Sequence, residues 1–220
     1  MKTLNTNQIQ TIIQKVSFRN ISISKFLKLG ILALVITVIQ GCPPPPPPPC
    51  ITTGTDFQGI YAATLASNSS YDNYTTMDLV THEYTFTMLA NKTVCQIGYQ
   101  GNANLYASSI AYNIEIYDNT NSVMIYTGSH LFNSASTDYV LPSSSINLIS
   151  GNSYTIRRIA SNYLGNIGNT IGRIARYNGA PLPSATVLSG SFMQITSSNF
   201  YGTGGPVPNF GIPFIDIVFQ

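Results

Sequence analysis

Beyond residue 50 the chain alternates between apolar and polar positions over much of its length. In Glu83-Tyr84-Thr85-Phe86-Thr87-Met88 the residues Tyr84, Phe86 and Met88 fall on one side, and Glu83, Thr85 and Thr87 on the other. That period of two marks a strand with one buried face. The same pattern predicts strands over 57–65, 93–99, 110–117, 122–126, 146–149, 153–159, 170–177, 185–195 and 212–219. Asp118-Asn119-Thr120-Asn121 lies between two such runs and predicts a hairpin, because Asp and Asn bond their own backbone and tolerate left-handed conformations. Gly151-Asn152 marks another turn. A sustained 3.6-residue apolar period is not evident after Cys50. The expected fold is therefore all-β, a two-sheet antiparallel sandwich, and some ten strands favour a jelly roll over a seven-stranded immunoglobulin-like arrangement.

The beginning of the chain reads differently. Residues 29–39 are almost wholly apolar, long enough for the core of a secretion signal but short of the ~20 residues of a membrane-spanning helix. Lys2, Lys15, Arg19, Lys25 and Lys28 precede that run with no acidic residue among them, which holds this end on the cytoplasmic side. Ile39-Gln40-Gly41-Cys42 then resembles the lipobox of bacterial lipoproteins. The resemblance implies cleavage before Cys42 and diacylation (palmitate-type chains) of its sulfur, so that 1–41 is a lipoprotein signal peptide. An uncleaved anchor helix is the alternative. Seven prolines, 43–49, follow and separate Cys42 from Cys50. They lack backbone donors and fix φ, so they favour an extended rod of ~3.1 Å per residue, about 22 Å in all. Residues 42–50 are thus read as a lipidated cysteine with a spacer, and 51–220 as the β-sandwich domain.

Further motifs carry a resemblance of the body itself. Tyr84-Thr85-Phe86-Thr87, Ile114-Glu115-Ile116-Tyr117-Asp118-Asn119, Gly151-Asn152-Ser153-Tyr154-Thr155-Ile156 and Ile167-Gly168-Asn169-Thr170-Ile171-Gly172 together are similar to uncharacterised β-sandwich lipoproteins of Gram-negative bacteria. The resemblance implies an envelope location. Pro43 stands where an aspartate would favour inner-membrane retention in enteric lipoproteins, which makes the outer membrane the expected destination.

Removing 1–41 reverses the charge balance. Five of the ten Lys and Arg are lost, leaving Lys92, Arg157, Arg158, Arg173 and Arg176 against eight acids, 5 − 8 = −3. A mildly acidic body without a basic face is no partner for nucleic acid. Acylation of Cys42 leaves Cys50 and Cys95, which either pair, closing a 45-residue loop (95 − 50) in an oxidising compartment, or remain two thiols with Cys95 facing the core.

Candidate chemistry is sparse. His82 and His130 belong to no metal or nucleophile motif, no Cys-x-x-Cys or Gly-x-Ser-x-Gly occurs, and the glycines of 165–172 lack the Lys-Ser/Thr ending of a phosphate loop. No catalytic, cofactor or metal residue is assigned. Calcium held by separated loops, using Asp56, Asp72, Asp78 or Asp118, is the one cofactor considered. Fourteen tyrosines and no tryptophan suit sugar contact through flat rings with hydrogen-bonding tips, and Tyr71, Tyr74, Tyr99, Tyr106 and Tyr201 fall near strand ends, Tyr99 and Tyr106 being the foremost glycan contacts. Arg157-Arg158 breaks the alternation and is expected to mark a bulge or a charge-protected edge. The last run, 212–220, reads as a buried strand or as an edge that pairs with a partner. The function expected is a non-enzymatic lipoprotein anchored in the membrane by lipid, displaying a β-sandwich binding or structural domain of unknown ligand, with a glycan or an envelope protein as the partners considered. Glycan binding is the alternative, and an envelope hydrolase with a clustered acid pair or His-acid pair in a pocket is third.

Overall fold

The alternating segments form strands whose inward residues meet in one aromatic core. The computed structural model describes residues 49–75, 80–160, 172–202 and 205–220, all within one compact unit, 47–220. Cys42, most of the proline run, Asp78 and the glycines of 165–171 lie outside the described residues.

The main layer is a six-stranded antiparallel sheet. Its strands are β2 (Thr81–Met88), β4 (Tyr112–Asp118), β5 (Val123–His130), β8 (Ser153–Ile159), β10 (Met193–Gly202) and β11 (Gly205–Pro208), ordered β11-β10-β2-β8-β4-β5. Opposite lie two smaller ladders. One joins β1 (Tyr71–Thr75), β9 (Arg173–Tyr177) and β12 (Gly211–Pro213); the other joins β13 (Asp216–Phe219), β3 (Lys92–Tyr99) and β6 (Asp138–Val140), with β7 (Ile146–Leu148) also on β3. β12 and β13 are separated only by Phe214-Ile215, so the final segment pairs with β9 through its first half and with β3 through its second. The chain crosses between layers at most connections. The described residues form a predominantly β antiparallel sandwich.

Strand β2 shows why these residues fold this way. Tyr84, Phe86 and Met88 are buried, whereas Thr85 and Thr87 are part-exposed. Phe57, Tyr84 and Phe214 pack ring on ring, with centroids 5.3 and 5.2 Å from Phe57, and each such side chain contributes roughly 1.5–3 kcal/mol by leaving water. The Tyr84 hydroxyl, carried inward with its ring, donates to the Ile215 carbonyl at 2.7 Å. Residues 211–218 are all buried, so the last segment is part of the core.

Several expectations need correcting. Residues 57–65 are not a strand. Asp56–Ser67 is helix α1, capped by Thr55, whose hydroxyl accepts from the Gln58 N–H at 3.1 Å. Its buried positions are Phe57, Ile60, Tyr61 and Thr64, the i, i+3, i+4, i+7 stripe of an amphipathic helix. Exposed Ala62 and Ala63 and buried Thr64 blur that stripe in the sequence. A short helix α2 (Ala103–Ala107), capped by Asn102, was also unforeseen, as were β1 and β6. The 185–195 run is mostly turn, and β10 begins only at Met193. Arg157-Arg158 marks neither bulge nor edge, since β8 is a central strand in unbroken register with β2 and β4. The β4–β5 hairpin does form, with Asp118 accepting from the Asn121 N–H at 2.9 Å and Ser122 taking the positive φ of 55°.

One buried carboxylate ties three elements together. Asp216 of β13 is fully buried and accepts from Thr55 Oγ1 at 2.7 Å and from Gln58 Nε2 and Tyr139 Oη, both at 2.8 Å. Burial pushes its carboxyl above the ordinary aspartate value, against the pull of those donors. Tyr139 lies across Gly98, where any Cβ would strike its ring. That glycine keeps the path to Asp216 open.

Candidate functional site

Cross-strand register, which no linear reading supplies, gathers the polar residues of the main sheet's outer face into rows. Glu83 of β2 stands opposite Arg157 of β8, and Arg157 stands opposite Glu115 of β4. Arg157 Nε donates to Glu83 Oε2 at 3.0 Å, and its Nη1 lies 3.5 Å from Glu115 Oε2. The row continues at both ends. Tyr201 Oη donates to Glu83 Oε1 at 3.0 Å, and Asn199 Nδ2 donates to Tyr201 Oη at 2.7 Å. Asn113 Nδ2 donates to Glu115 Oε1 at 3.0 Å, and Thr127 Oγ1 to Asn113 Oδ1 at 3.3 Å. Five adjacent strands, β10 to β5, thus carry one connected band.

Its setting is half-sheltered. The Glu83 side chain is 10% exposed, that of Glu115 18% and that of Arg157 33%. Burial, and then the bond to Glu83, push the Tyr201 phenol above its usual value, so it remains a donor throughout the physiological range. Asn199 Oδ1 is buried and accepts no hydrogen bond. A neighbouring row holds Thr85 against Thr155, hydroxyl to hydroxyl at 2.9 Å, with Asn119 Nδ2 donating to Thr155 at 3.0 Å. Tyr117 shares the outer side with Glu115 and is part-exposed.

The tyrosines singled out from the sequence separate. Tyr99 is fully buried, edge-on to Tyr112 and Phe132 at 5.3 and 5.5 Å. Its apolar ring fills the core, and it has no face to offer a sugar, which removes it as a glycan contact. Tyr106 is 41% exposed on α2. Tyr71 is buried against Tyr177 and donates to the Pro181 carbonyl at 2.7 Å. Tyr74 is exposed beneath the Arg176 guanidinium, 3.8 Å from ring centre. Tyr201 alone of the five belongs to the outer band. Glu83 was legible as outward-facing from its alternation; Arg157 and Glu115 were not, because only register brings them together.

The other candidates are dispersed. Both His82 ring nitrogens are buried without a hydrogen-bond partner; the ring packs on Phe200, and burial followed by the nearby Arg158 charge hold it well below the usual histidine pKa. His130 Nε2 meets Tyr126 Oη at 2.6 Å, across Gly128, where a Cβ would collide with both side chains. Asp56 accepts from the N–H groups of Ser191, Phe192 and Met193, Asp72 pairs with Arg176, and Asp118 is held by Asn121 and Asn152. Among the described residues no three His, Cys, Asp or Glu side chains gather into a metal-holding group. A cleft of about 580 Å³ beside α1 contains Asp56 as its acid, and one of about 400 Å³ lined by Thr75, Gln100, Asn102, Ser134 and Arg173 contains none. Among the described residues no helix is long and apolar enough to cross a membrane.

Cys50 and Cys95 are joined by a disulfide, with Cα atoms 6.0 Å apart. It fixes the residue that follows the prolines to β3, which is paired on both sides.

No protein-family model matches the chain, and no curated protein does. Among solved structures it is similar to a family 35 carbohydrate binding module from an environmental isolate, at 16% identity and a TM-score of 0.28, over 62% of this chain and 76% of that one.

Proposed function

We propose that this chain is a non-enzymatic envelope lipoprotein, acylated at Cys42, whose proline spacer carries the β-sandwich away from the bilayer and whose destination is the outer membrane. The observation that carries this reading is the Cys50–Cys95 bond at the inner end of the spacer. Disulfides persist in oxidising compartments, in keeping with export by the signal segment. The bond also sets where a tethered body is held. Tension along the prolines enters β3, flanked by β13 on one side and β6 and β7 on the other, instead of loading the cap of α1. On the chain-entropy model, closing the 45-residue loop contributes about 4 kcal/mol. Two or more acyl chains supply firm attachment, each buried methylene adding ~0.8 kcal/mol.

Metabolic labelling with a palmitate analogue tests the anchor. Wild-type protein is expected to take up label and to fractionate with outer membranes. Cys42→Ser is expected to lose the label and accumulate as a heavier, unprocessed form. An unlabelled wild type of full precursor mass contradicts the proposal.

The outer band of the main sheet favours a second reading, a glycan-binding module at the cell surface. Its side chains are the planar amides, carboxylates, guanidinium and phenols that pair with hydroxyl groups, held on rigid strands. An array of immobilised glycans tests it, binding being expected and a blank array opposing it.

A further inference from the structure

We propose that the row Tyr201–Glu83–Arg157–Glu115 is the binding site, and that its ligand is a neutral saccharide chain lying across the strands; this rests on the glycan reading above. The first support is economy of charge. Only thirteen charged residues follow Cys42, five basic and eight acidic, and three of them stand side by side in this one row. Around them the same face is built from Thr81, Thr85, Thr87, Ser153 and Thr155, which serve solubility without charge.

The second support is what the row leaves unused. A guanidinium has five N–H donors and a carboxylate about four acceptor sites. Arg157 commits Nε to Glu83 and Nη1 to Glu115 while remaining part-exposed, so donors remain for a ligand oxygen. Glu83 and Glu115 each accept from one neighbour besides Arg157 and keep acceptor sites for ligand hydroxyls. Donors and acceptors alternating along the row can pair with several hydroxyls of a sugar, each of which both donates and accepts. Cross-strand pairing accounts for the ion pairs, but does not use the donors and acceptors that remain open on Arg157 and Glu115.

Charge selects the ligand class. Two carboxylates on one guanidinium leave the row at −1, which repels uronic, sialic and phosphorylated sugars and admits neutral ones. Tyr201 on β10 and Tyr117 on β4 both lie on this side, three strand spacings apart across the sheet and, since Tyr201 is level with Asn113, four residues apart along it, a diagonal of ~20 Å. They bracket the polar centre, with rings suited to the C–H faces of sugars.

The test uses the full-length protein in detergent micelles on an array carrying neutral hexose and N-acetylhexosamine oligomers alongside hexuronic acid oligomers. Neutral oligomers are expected to bind, with Tyr201→Ala and Arg157→Gln each weakening binding about tenfold or more. Thermal melts compare the variants with wild type, and Arg157→Lys, retaining the charge, is expected to recover part of the binding if Gln lost contacts and not fold. Binding to acidic oligomers alone overturns the ligand class. Neutral binding that survives both substitutions, or that is lost instead in Tyr106→Ala, overturns the location and leaves the glycan reading standing. A blank array overturns both.

Discussion

Arg157 and Arg158 are neighbours on one strand, yet they face opposite sides of the main sheet and obey different physics. Arg157 points outward between two carboxylates and keeps a third of its side chain exposed. Arg158 points inward and is fully buried. Its guanidinium lies 5.5 and 5.7 Å from the ring centres of Tyr99 and Tyr112, and Nη1 donates to the Val80 carbonyl at 3.1 Å. Opposite Arg158 across the β2–β8 ladder stands His82, neutral because burial and the arginine's charge both oppose its protonation. A cation exposed to water costs little and remains available to ligands. A buried cation is part of the structure, and its neighbours adapt to it. The band is offered as a binding surface on that distinction: its polar groups are supported by each other, and the sandwich stands without them.

Substitutions on the two faces should therefore differ most in stability. Arg158→Ala is expected to cost on the order of 4 kcal/mol, through a cavity and the loss of buried polar contacts, seen as a lower urea midpoint with intact glycan binding by whatever fraction stays folded. A loss below about 1 kcal/mol would erase the contrast. Next comes pH. The folded-state pKa of His82 is depressed below the unfolded value near 6.5, so its contribution is full above pH 6.5 and declines as pH falls below it, by at most ~1.4 kcal/mol per pH unit. His130, also depressed by burial, has the same sign. Urea titrations at pH 7.5 and 5.5 should show the fall, and His82→Phe should reduce it; an equal fall in both proteins contradicts the assignment to His82. The smallest effect belongs to the outer face. Arg157→Ala should cost about 0.5 kcal/mol, since partly exposed ion pairs contribute little, measured by the same titration at neutral pH.

The strands were the legible part of the fold, for a physical reason. β8 spans Ser153–Ile159, the run the alternation predicts, and β2 and β3 differ from expectation by one or two residues at their starts, because one buried and one wet face write a period of two into the sequence. Helix α1 was hidden because Ala62 and Ala63 are apolar but exposed while Thr64 is polar but buried, its hydroxyl bonded to the Ile60 carbonyl at 2.9 Å. The signal that could have found it is Thr55-Asp56-Phe57-Gln58, a Thr-x-x-Gln start. Tyr99 failed as a contact residue because tyrosine is equally at home inside a sheet. The Glu83–Arg157–Glu115 row was invisible because its members are 32 and 42 residues apart (115 − 83 and 157 − 115) and meet only once β2, β8 and β4 are placed in register.

The most direct test of the account is the intact mass of the mature protein taken from the cell envelope. The expected species begins at Cys42, carries added acyl chains, and lacks two hydrogens for the Cys50–Cys95 bond. A species beginning at Met1 with no acyl chain, or one whose Cys50 and Cys95 both react with a thiol reagent before reduction, would contradict it.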